Sequence, residues 1–537
     1  MRTLILAAGK IDYTRLPFGM HQSNATIPVN GKPVISWILD DLIQKGFNTV
    51  ELVLREDNFR LKQLLEKYYS RRIDLKIISL QNPLSIVESL KAAIANDCTS
   101  KEPIQVILGD TLIYSDYGKK LDVIYVAEVE NTTNWCIAQV SEGNELLALL
   151  DKQYIEGSLH KALCGYYCFS NTSALSEAVD SSLNEGAKEL SHVLMHYHAA
   201  QPLKLVNTYE WYDFGHLESL IRSKKTLFRP RHFNTLEIDP LLNTITKRSS
   251  KDDKLLDELN WFKLLPDPLK VLTPRFYTDD SNSNQITITQ EFYGYPTLSE
   301  LYVYGDLSVT VWQSIIDYLF QVQTLFQSYK TDFSALNCHQ IYIEKTFNRI
   351  ETMLEQKVIW RDLWEKETII INGKKYPSLR INLERLHSSL SELCVKGEYN
   401  IIHGDFCFSN ILYDLNNQIV RLIDPRGSFG EKGIYGDPRY DIAKMRHSMT
   451  GGYDYIVSDL FSVNYQNESF EYTIFQDDKD LPLQFFLDKL IAQKGYKIRE
   501  IKLIEGLLFL SMIPYHVDHF ERQQMMFIRA TEILSEL

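Results

Sequence analysis

The sequence predicts two successive folding units, an α/β unit with a mostly parallel sheet and then an α+β unit with two lobes. Three observations carry this. Over the first 150 residues, apolar strand-like runs alternate with amphipathic helical stretches. The pattern changes at "RPRHFN", where Pro230 and flanking basic residues mark a boundary near 226 to 232. Beyond 233, short strands come first and a long, mainly helical remainder follows.

In order, "TLILAA", "TVELVL", "LKIISL" and "IQVILGD" read as buried strands, and "VISWILDDLIQKG", "NFRLKQLLEKYY" and "IVESLKAAIAND" as the helices between them. "TLEID", "NTITK" and "QITITQEF" then read as strands, and 306 to 395 as mostly helical. The expected division is 1–229, 230–305 for a small first lobe, and 306–537 for a larger second lobe. No internal repeat or low-complexity tract stands out, which excludes a solenoid.

A length of 537 residues implies about two to four domains. The apolar share of 45% and charged share of 24% are those of a globular protein with large cores. A net charge of −13 gives no general attraction to nucleic acid or anionic lipid, so any phosphate must be held locally. Seven scattered cysteines lack metal-ligand spacing and read as reduced structural thiols. "MRTLILAAG" reads as a first strand rather than a leader, and "LIEGLLFLSMIPYHV" as a core helix too short to span a bilayer. A cytoplasmic location without membrane insertion is expected.

"IIHGDFCFSNIL" places His403, Asp405 and Asn410 in a loop between two strand-like runs, and "VRLIDPRG" places Asp424 at the end of the next apolar run. Phosphoryl transfer to a hydroxyl needs a carboxylate for the hydroxyl, magnesium ligands, and a cation on the nucleotide phosphates. The set resembles the aminoglycoside phosphotransferase and choline kinase family, which has the protein-kinase fold. The resemblance implies that Asp405 is the catalytic base, that Asn410 and Asp424 hold Mg²⁺, and that His403 braces the loop. Asp441 in "GDPRYDIAKM" resembles the family's structural carboxylate. Lys247 or Arg248 in "NTITKRSS", read at a strand end, and Glu258 in "KLLDELNWFKLL" resemble its phosphate-positioning pair, although a solvated helix face would give the same letters. Glu291 to Tyr293 in "ITQEFYGYPTLSEL" resemble its adenine-binding hinge.

"LILAAG" followed by "IPVNGKPVISWILDDL" resembles the nucleotidyltransferases that make nucleotide-activated sugars and phosphocholine, with a Rossmann-like fold. The glycine turn at Gly9 lets backbone N–H groups approach nucleotide phosphates. Asp110 in "VILGD" and Asp213 in "WYDFGH" are implied to share a second Mg²⁺. In "LLDKQYIEGSLHKALCGYYCF", Lys152 and Gly165 match the family's acceptor-binding lysine and Gly-aromatic strand, with a plain surface lysine as the alternative. Two departures stand out. "KIDYT" precedes Arg15 with no second glycine, and Asn24 occupies the place of a phosphate-binding lysine. Lys10 or Arg15 would then supply the missing cation.

The resemblances imply a bifunctional kinase and nucleotidyltransferase that makes an activated sugar or small alcohol for bacterial surface polysaccharide. The expected cofactors are Mg²⁺, ATP and a second nucleoside triphosphate, with CTP a candidate. The partners are nucleotides and a small alcohol, sugar or sugar phosphate, not nucleic acid. The alternative keeps the kinase and makes the first domain a degenerate nucleotide- or nucleotide-sugar-binding module. The letters do not fix the acceptor, the base or the oligomeric state.

Overall fold

The computed structural model describes residues 1–10, 23–95, 102–157, 159–227, 235–239, 241–249, 253–279, 286–305, 307–395 and 397–537. Arg15 lies outside the described residues. The chain divides into two compact units, Met1–Phe228 with Tyr304–Asp306, and Arg229–Val303 with Leu307–Leu537.

The first unit begins with β1 (Arg2–Leu6), the short β2 (Pro28–Val29) and β3 (Lys32–Pro33), α1 (Val34–Gln44), β4 (Thr49–Arg55), α2 (Phe59–Tyr69), β5 (Asp74–Leu80), α3 (Ile86–Ala95) and β6 (Ile104–Leu108). It continues with β7 (Thr111–Ile113), β8 (Val123–Val129), β9 (Cys136–Val140), β10 (Leu146–Asp151), β11 (His160–Phe169), α4 (Thr172–Asn184), α5 (Leu190–Ala200), β12 (Lys204–Asn207), β13 (Trp211–Asp213) and α6 (Leu217–Thr226). The sheet runs β10-β9-β11-β6-β1-β4-β5, and β8 joins β11 and β12.

Its centre is parallel because β1, β4, β5 and β6 are linked by helices, and β1 and β6 are apolar on both faces as a doubly covered sheet requires. β11 pairs antiparallel with β6, β8 and β9, so the sheet is mixed rather than parallel throughout. Gly165 makes the junction. Its φ of +79° coincides with a register shift between Leu163 and Tyr167, and a Cβ there would stand 2.7 Å from Thr111 Cγ2. Leu4, Leu6, Val53, Val106 and Ile124 of the sheet pack with Leu90 of α3 and Val193 of α5. Each such side chain contributes about 1.5–3 kcal/mol on burial.

The second unit opens with an antiparallel sheet ordered β14-β15-β17-β16, formed by β14 (Thr235–Asp239), β15 (Thr244–Ser249), β16 (Phe276–Asp279) and β17 (Ile286–Glu291). Helix α7 (Asp253–Leu264) lays Leu255 and Leu259 on Ile288 of this sheet. The remainder is mainly helical, with helices Val309–Gln327, Lys345–Gln356, Pro438–Met449, Ile498–Met512 and Phe520–Ser535 and short strands between them. The helical reading of 306 to 395 missed one hairpin. Thr368–Ile371 turns back as Lys374–Pro377 through Asn372 and Gly373, both at positive φ, as a two-residue hairpin turn demands.

Helix Ile498–Met512 is buried, and its Glu505 pairs with Arg446. Among the described residues, no helix is long and apolar enough to cross a membrane, and the six described cysteines are all free thiols.

Candidate functional site

In the first unit, the strand ends bring chemistry together. Asp110 sits in the turn between β6 and β7, and Asp213 ends β13, which pairs with β7 opposite Thr111. The two carboxylates meet at Gly215, where a Cβ would stand 3.5 Å from Asp213 Oδ1 and 3.6 Å from Asp110 Oδ2. Burial and the facing Asp213 carboxylate raise the pKa of Asp110, and the hydrogen bond from Asn24 opposes this. Asn24 Nδ2 donates to Asp110 Oδ2 at 2.8 Å. Asn24 is placed there because its N–H donates to Gly9 O at 3.2 Å, in the segment that leaves β1.

Gly109 permits the approach of the two segments: a Cβ would fall 2.7 Å from Ala7 Cβ. Lys10 is exposed and bridges backbone to Ser23, and its charge helps to lower the pKa of Asp57 after the larger effect of Arg55. Asn24 thus ties the Gly9 backbone to Asp110, which faces Asp213.

Lys152 follows β10 at a φ of +48°, a conformation uncommon for a lysine, and its N–H donates to Trp135 O at 3.0 Å. Its ammonium stands 3.9 Å from Glu189, a loose and half-exposed pair. Sequence reasoning missed the aromatic wall beside it. Trp135 lies 5.4 Å from the Trp211 ring and 5.9 Å from His216, and His216 Nδ1 is 3.1 Å from Asp213 Oδ2. Trp135 Nε1 is buried without a hydrogen-bond partner among the described residues. "WYDFGH" held two of these residues, but Trp135 arrives from a segment distant in sequence, just before β9.

In the second unit, strand Tyr399–Ile401 feeds a loop that ends in the hairpin Ile411–Asp414 with Ile419–Leu422. Pairing of Ile411 with Leu422 brings Asn410 beside the segment that carries Asp424, and Ile423 N donates to Asn410 O at 3.0 Å. Asn410 Nδ2 donates to Asp405 Oδ2 at 2.9 Å. The loop is held from below by Asp441, which accepts from His403 N at 2.7 Å and Gly404 N at 2.9 Å. His403 is wholly buried with its ring edge-on to Trp261.

Lys444, one turn after Asp441 on the helix Pro438–Met449, was not singled out by the sequence reading. Its Nζ is 2.8 Å from Asp405 Oδ1. Burial would raise the pKa of Asp405, but Lys444 holds it down at about 2.

Lys247 and Arg248 both lie within β15, rather than at its end, and so face opposite ways. Lys247 Nζ reaches Glu258 Oε1 at 2.6 Å and also pairs with Asp424. Arg248 turns to Glu237 at 2.7 Å. Burial alone would lower the pKa of Lys247; Asp424 and Glu258 more than offset it and keep the ammonium charged. Burial pushes Glu258 up in spite of Lys247.

Beyond β17, Glu291 N donates to Arg275 O at 2.9 Å and Phe292 N to Asn243 O at 2.7 Å. Tyr293 donates to the Glu291 carboxylate and stacks on Tyr295. Two of the three expected hinge N–H groups are therefore committed to the fold.

Residues 2–229 match the family model described as Nucleotidyl transferase. A low-salt glycan biosynthesis nucleotidyltransferase of Haloferax volcanii, Agl11, is 24% identical over 196 residues, which are 31% of this chain and 53% of that protein. The chain thus spans about half the length of this curated relative. Among solved structures, a Bacillus anthracis protein assigned as a glucose-1-phosphate thymidylyltransferase aligns at a TM-score of 0.37 and 17% identity, over 44% of this chain and 98% of its own. The CTP:phosphocholine cytidylyltransferase LicC of Streptococcus pneumoniae aligns at 0.35 and 16%, over 42% and 99%. The amino-terminal region of this chain, residues 2–229, is a nucleotidyltransferase domain.

Proposed function

We propose that the chain is a bifunctional enzyme of glycan-precursor synthesis, with nucleotidyl transfer in the first unit and ATP-dependent phosphorylation of a small hydroxyl compound in the second. The name of the Haloferax relative supports the glycan setting, and the family resemblances noted in the sequence support bacterial surface polysaccharide as the product.

In the first reaction, an oxygen of a phosphorylated sugar or alcohol bonds to the α-phosphorus of a nucleoside triphosphate. The bond to the β-phosphate breaks and pyrophosphate leaves. Asp110 and Asp213 fit Mg²⁺, since two facing carboxylates destabilise one another unless a cation lies between them. When bound, the ion neutralises phosphate charge. Gly9 lets the nucleotide approach the backbone, while Lys152 and the unpartnered Trp135 Nε1 receive the acceptor phosphate. Lys10 and Arg15 are the candidates for the remaining cation.

The second activity rests on one observation: Lys247 links Glu258 of α7 to Asp424, 177 positions away, at the loop that carries Asp405 and Asn410. The acceptor hydroxyl attacks the γ-phosphorus of ATP, the bond to the β-phosphate breaks, and ADP leaves. Asp405 orients the hydroxyl and takes its proton as the new bond forms. Asn410 and Asp424 fit Mg²⁺, because the Asn410 amide nitrogen is committed to Asp405 and its oxygen remains as a ligand. The Tyr293 N–H is left to meet the adenine, with Glu291 fixing its side chain.

Asn24 in place of a lysine favours a second reading, in which the first unit binds a nucleotide or nucleotide-sugar without turning it over. Incubation with each of ATP, CTP, UTP, GTP and dTTP over a panel of alcohols and sugar phosphates, with ADP and pyrophosphate followed separately, decides between them. Asp110→Ala is expected to abolish pyrophosphate release and leave ADP formation intact. Asp405→Asn is expected to lower ADP formation by about 10²- to 10⁴-fold with ATP affinity unchanged. Nucleotide binding that Asp110→Ala weakens, with no pyrophosphate from any pair, would establish the binding module instead. Full ADP formation in Asp405→Asn would remove the kinase assignment.

A further inference from the structure

Beside Asp405 the second unit gathers cations. Tyr440 and Lys444 lie one turn apart on the helix Pro438–Met449, and Lys444 pairs with Asp405. Arg426 Nη1 donates to the Tyr440 hydroxyl at 2.8 Å, and Lys345 Nζ stands 5.9 Å from the centre of the same ring. Arg349, one turn beyond Lys345 on the helix Lys345–Gln356, stacks 3.7 Å above Tyr515 and donates to its hydroxyl. Arg426 also lies against the loop itself, since a Cβ on Gly404 would come within 2.7 Å of Arg426 Cβ.

Lys444 and Arg426 thus act on the Asp405 carboxylate, and Lys345 and Arg349 extend the cationic cluster past Tyr440. Among the described residues, Lys345, Arg349 and Arg426 make no ion pair within 4.0 Å. All three are partly buried, so water screens them less than it does surface charges. Burial lowers the pKa of Lys345 to about 8, with Arg426, Lys444 and Arg349 adding to the effect, and Lys345, Arg426 and Lys444 lower that of Tyr440 to about 8 against its burial. A chain with net charge −13 has ample carboxylates to neutralise such a cluster, and here three of the four are left unneutralised. Guanidinium and ammonium groups held rigidly without a counter-ion are a receptor for a carboxylate or phosphate. The same field opposes an amino-sugar or a quaternary ammonium.

We propose that the acceptor whose hydroxyl meets Asp405 carries an oxyanion, a carboxylate or a phosphate, bound by Lys345, Arg349 and Arg426. This rests on the phosphoryl-transfer reading of the second unit and leaves its bond changes as written above.

The test uses the full chain with ATP and Mg²⁺. ADP formation is compared over matched acceptors: glycerol, glycerate and glycerol 3-phosphate; glucose, gluconate and glucose 1-phosphate; and choline and glucosamine. The expected result is a preference for an anionic acceptor of about 10²-fold or more in kcat/KM, with the acid and phosphate arms telling which oxyanion is used. Lys345→Met and Arg349→Met should each raise the acceptor KM by about 10- to 100-fold, the worth of one charged hydrogen bond, and leave the KM for ATP unchanged.

Inorganic phosphate provides a probe that needs no turnover. Calorimetry on protein saturated with Mg²⁺ and a non-hydrolysable ATP analogue should show phosphate binding that both substitutions weaken. Preference for a neutral or cationic acceptor, a rise in the ATP KM instead, or phosphate binding that is absent or indifferent to the substitutions would each overturn the proposal. Absence of both ADP formation and Mg²⁺-dependent ATP binding would instead overturn the kinase reading, and this proposal with it.

Discussion

Asn24 donates its side-chain amide to Asp110 Oδ2 at 2.8 Å, across 86 positions of chain. A neutral donor therefore stands where the resembled family uses a cation. Asn24→Lys is expected to raise the rate of pyrophosphate release by about 10- to 100-fold with little change in nucleotide KM, by the scale of a preorganised transition-state donor. An unchanged rate in Asn24→Lys, with a loss in Lys10→Ala, would place the cation at Lys10 instead.

Lys247 and Arg248 are neighbours with opposite outlooks. Lys247→Met leaves Glu258 buried and unpaired, and is expected to lower ADP formation by about 10²-fold or more. Arg248→Met removes only a surface pair with Glu237 and should change stability by less than about 1 kcal/mol. Parallel ADP assays and thermal melts of the two variants check this, and equal effects would contradict it.

Gly427 sits at a φ of +66° with an imagined Cβ only 2.1 Å from Asp257 O of α7. Gly427→Ala must push α7 away and with it Glu258. A loss of about 2–4 kcal/mol is expected, seen as a lowered melting transition and loss of ADP formation, while pyrophosphate release is kept. A crystal structure of the variant with α7 in place would refute the steric argument.

Burial lowers the pKa of His403 from 6.5 to about 4. Between these values the unfolded chain holds a proton that the folded chain does not, so stability is full above pH 6.5 and is lost as pH falls towards 4. The whole effect is worth about 3 kcal/mol. Asp441, raised to about 7 by its own burial, acts in the opposite sense, with its stabilisation lost as pH rises through 7. Comparing melts of the parent and His403→Phe at several pH values cancels the Asp441 contribution, and the variant should lose less stability on acidification.

Much of this was written in local patterns. The four parallel strands were legible because each is a short run rich in apolar residues set apart by an amphipathic helical stretch, and Asp405 and Asn410 because a strand-flanked loop concentrates them, with Asp424 following the next apolar run. The hairpin at 368–377 was missed although Asn372-Gly373 announces it, since the flanking helices set the expectation. Lys247 could not be told from Arg248 without the pleat that turns them apart. The pairing of β11 with three strands depends on one glycine whose backbone angle no periodicity reveals. Lys444, Arg426 and Tyr440 lie 18 positions or fewer apart in sequence, but Lys345 and Arg349 join them only through packing of distant helices.

The missed hairpin also closes a long stretch of chain that carries most of the second site. Thr368–Ile371 pairs in parallel with Ser469–Ile474, and Asn372 exchanges side-chain hydrogen bonds with the Tyr472 backbone at 2.9 and 3.1 Å, 100 positions away. Asp405, Asn410, Asp424 and Asp441 all lie within this ring of chain. Closing about 100 residues rather than about 12 costs roughly 2 kcal/mol more in chain entropy, a small toll for a four-stranded sheet. Once closed, the ring keeps both sides of any break inside it. A single proteolytic cut in the exposed turn at Asn416 and Asn417 should therefore give two fragments on a denaturing gel but one species on gel filtration, with ADP formation retained. Dissociation of the fragments would show that the sheet and the strand pairs across the cut do not hold the circle. If they stay together, the clasp at Asn372 and Tyr472 and the strand pairs across the cut hold the site without the continuity of the thread they enclose.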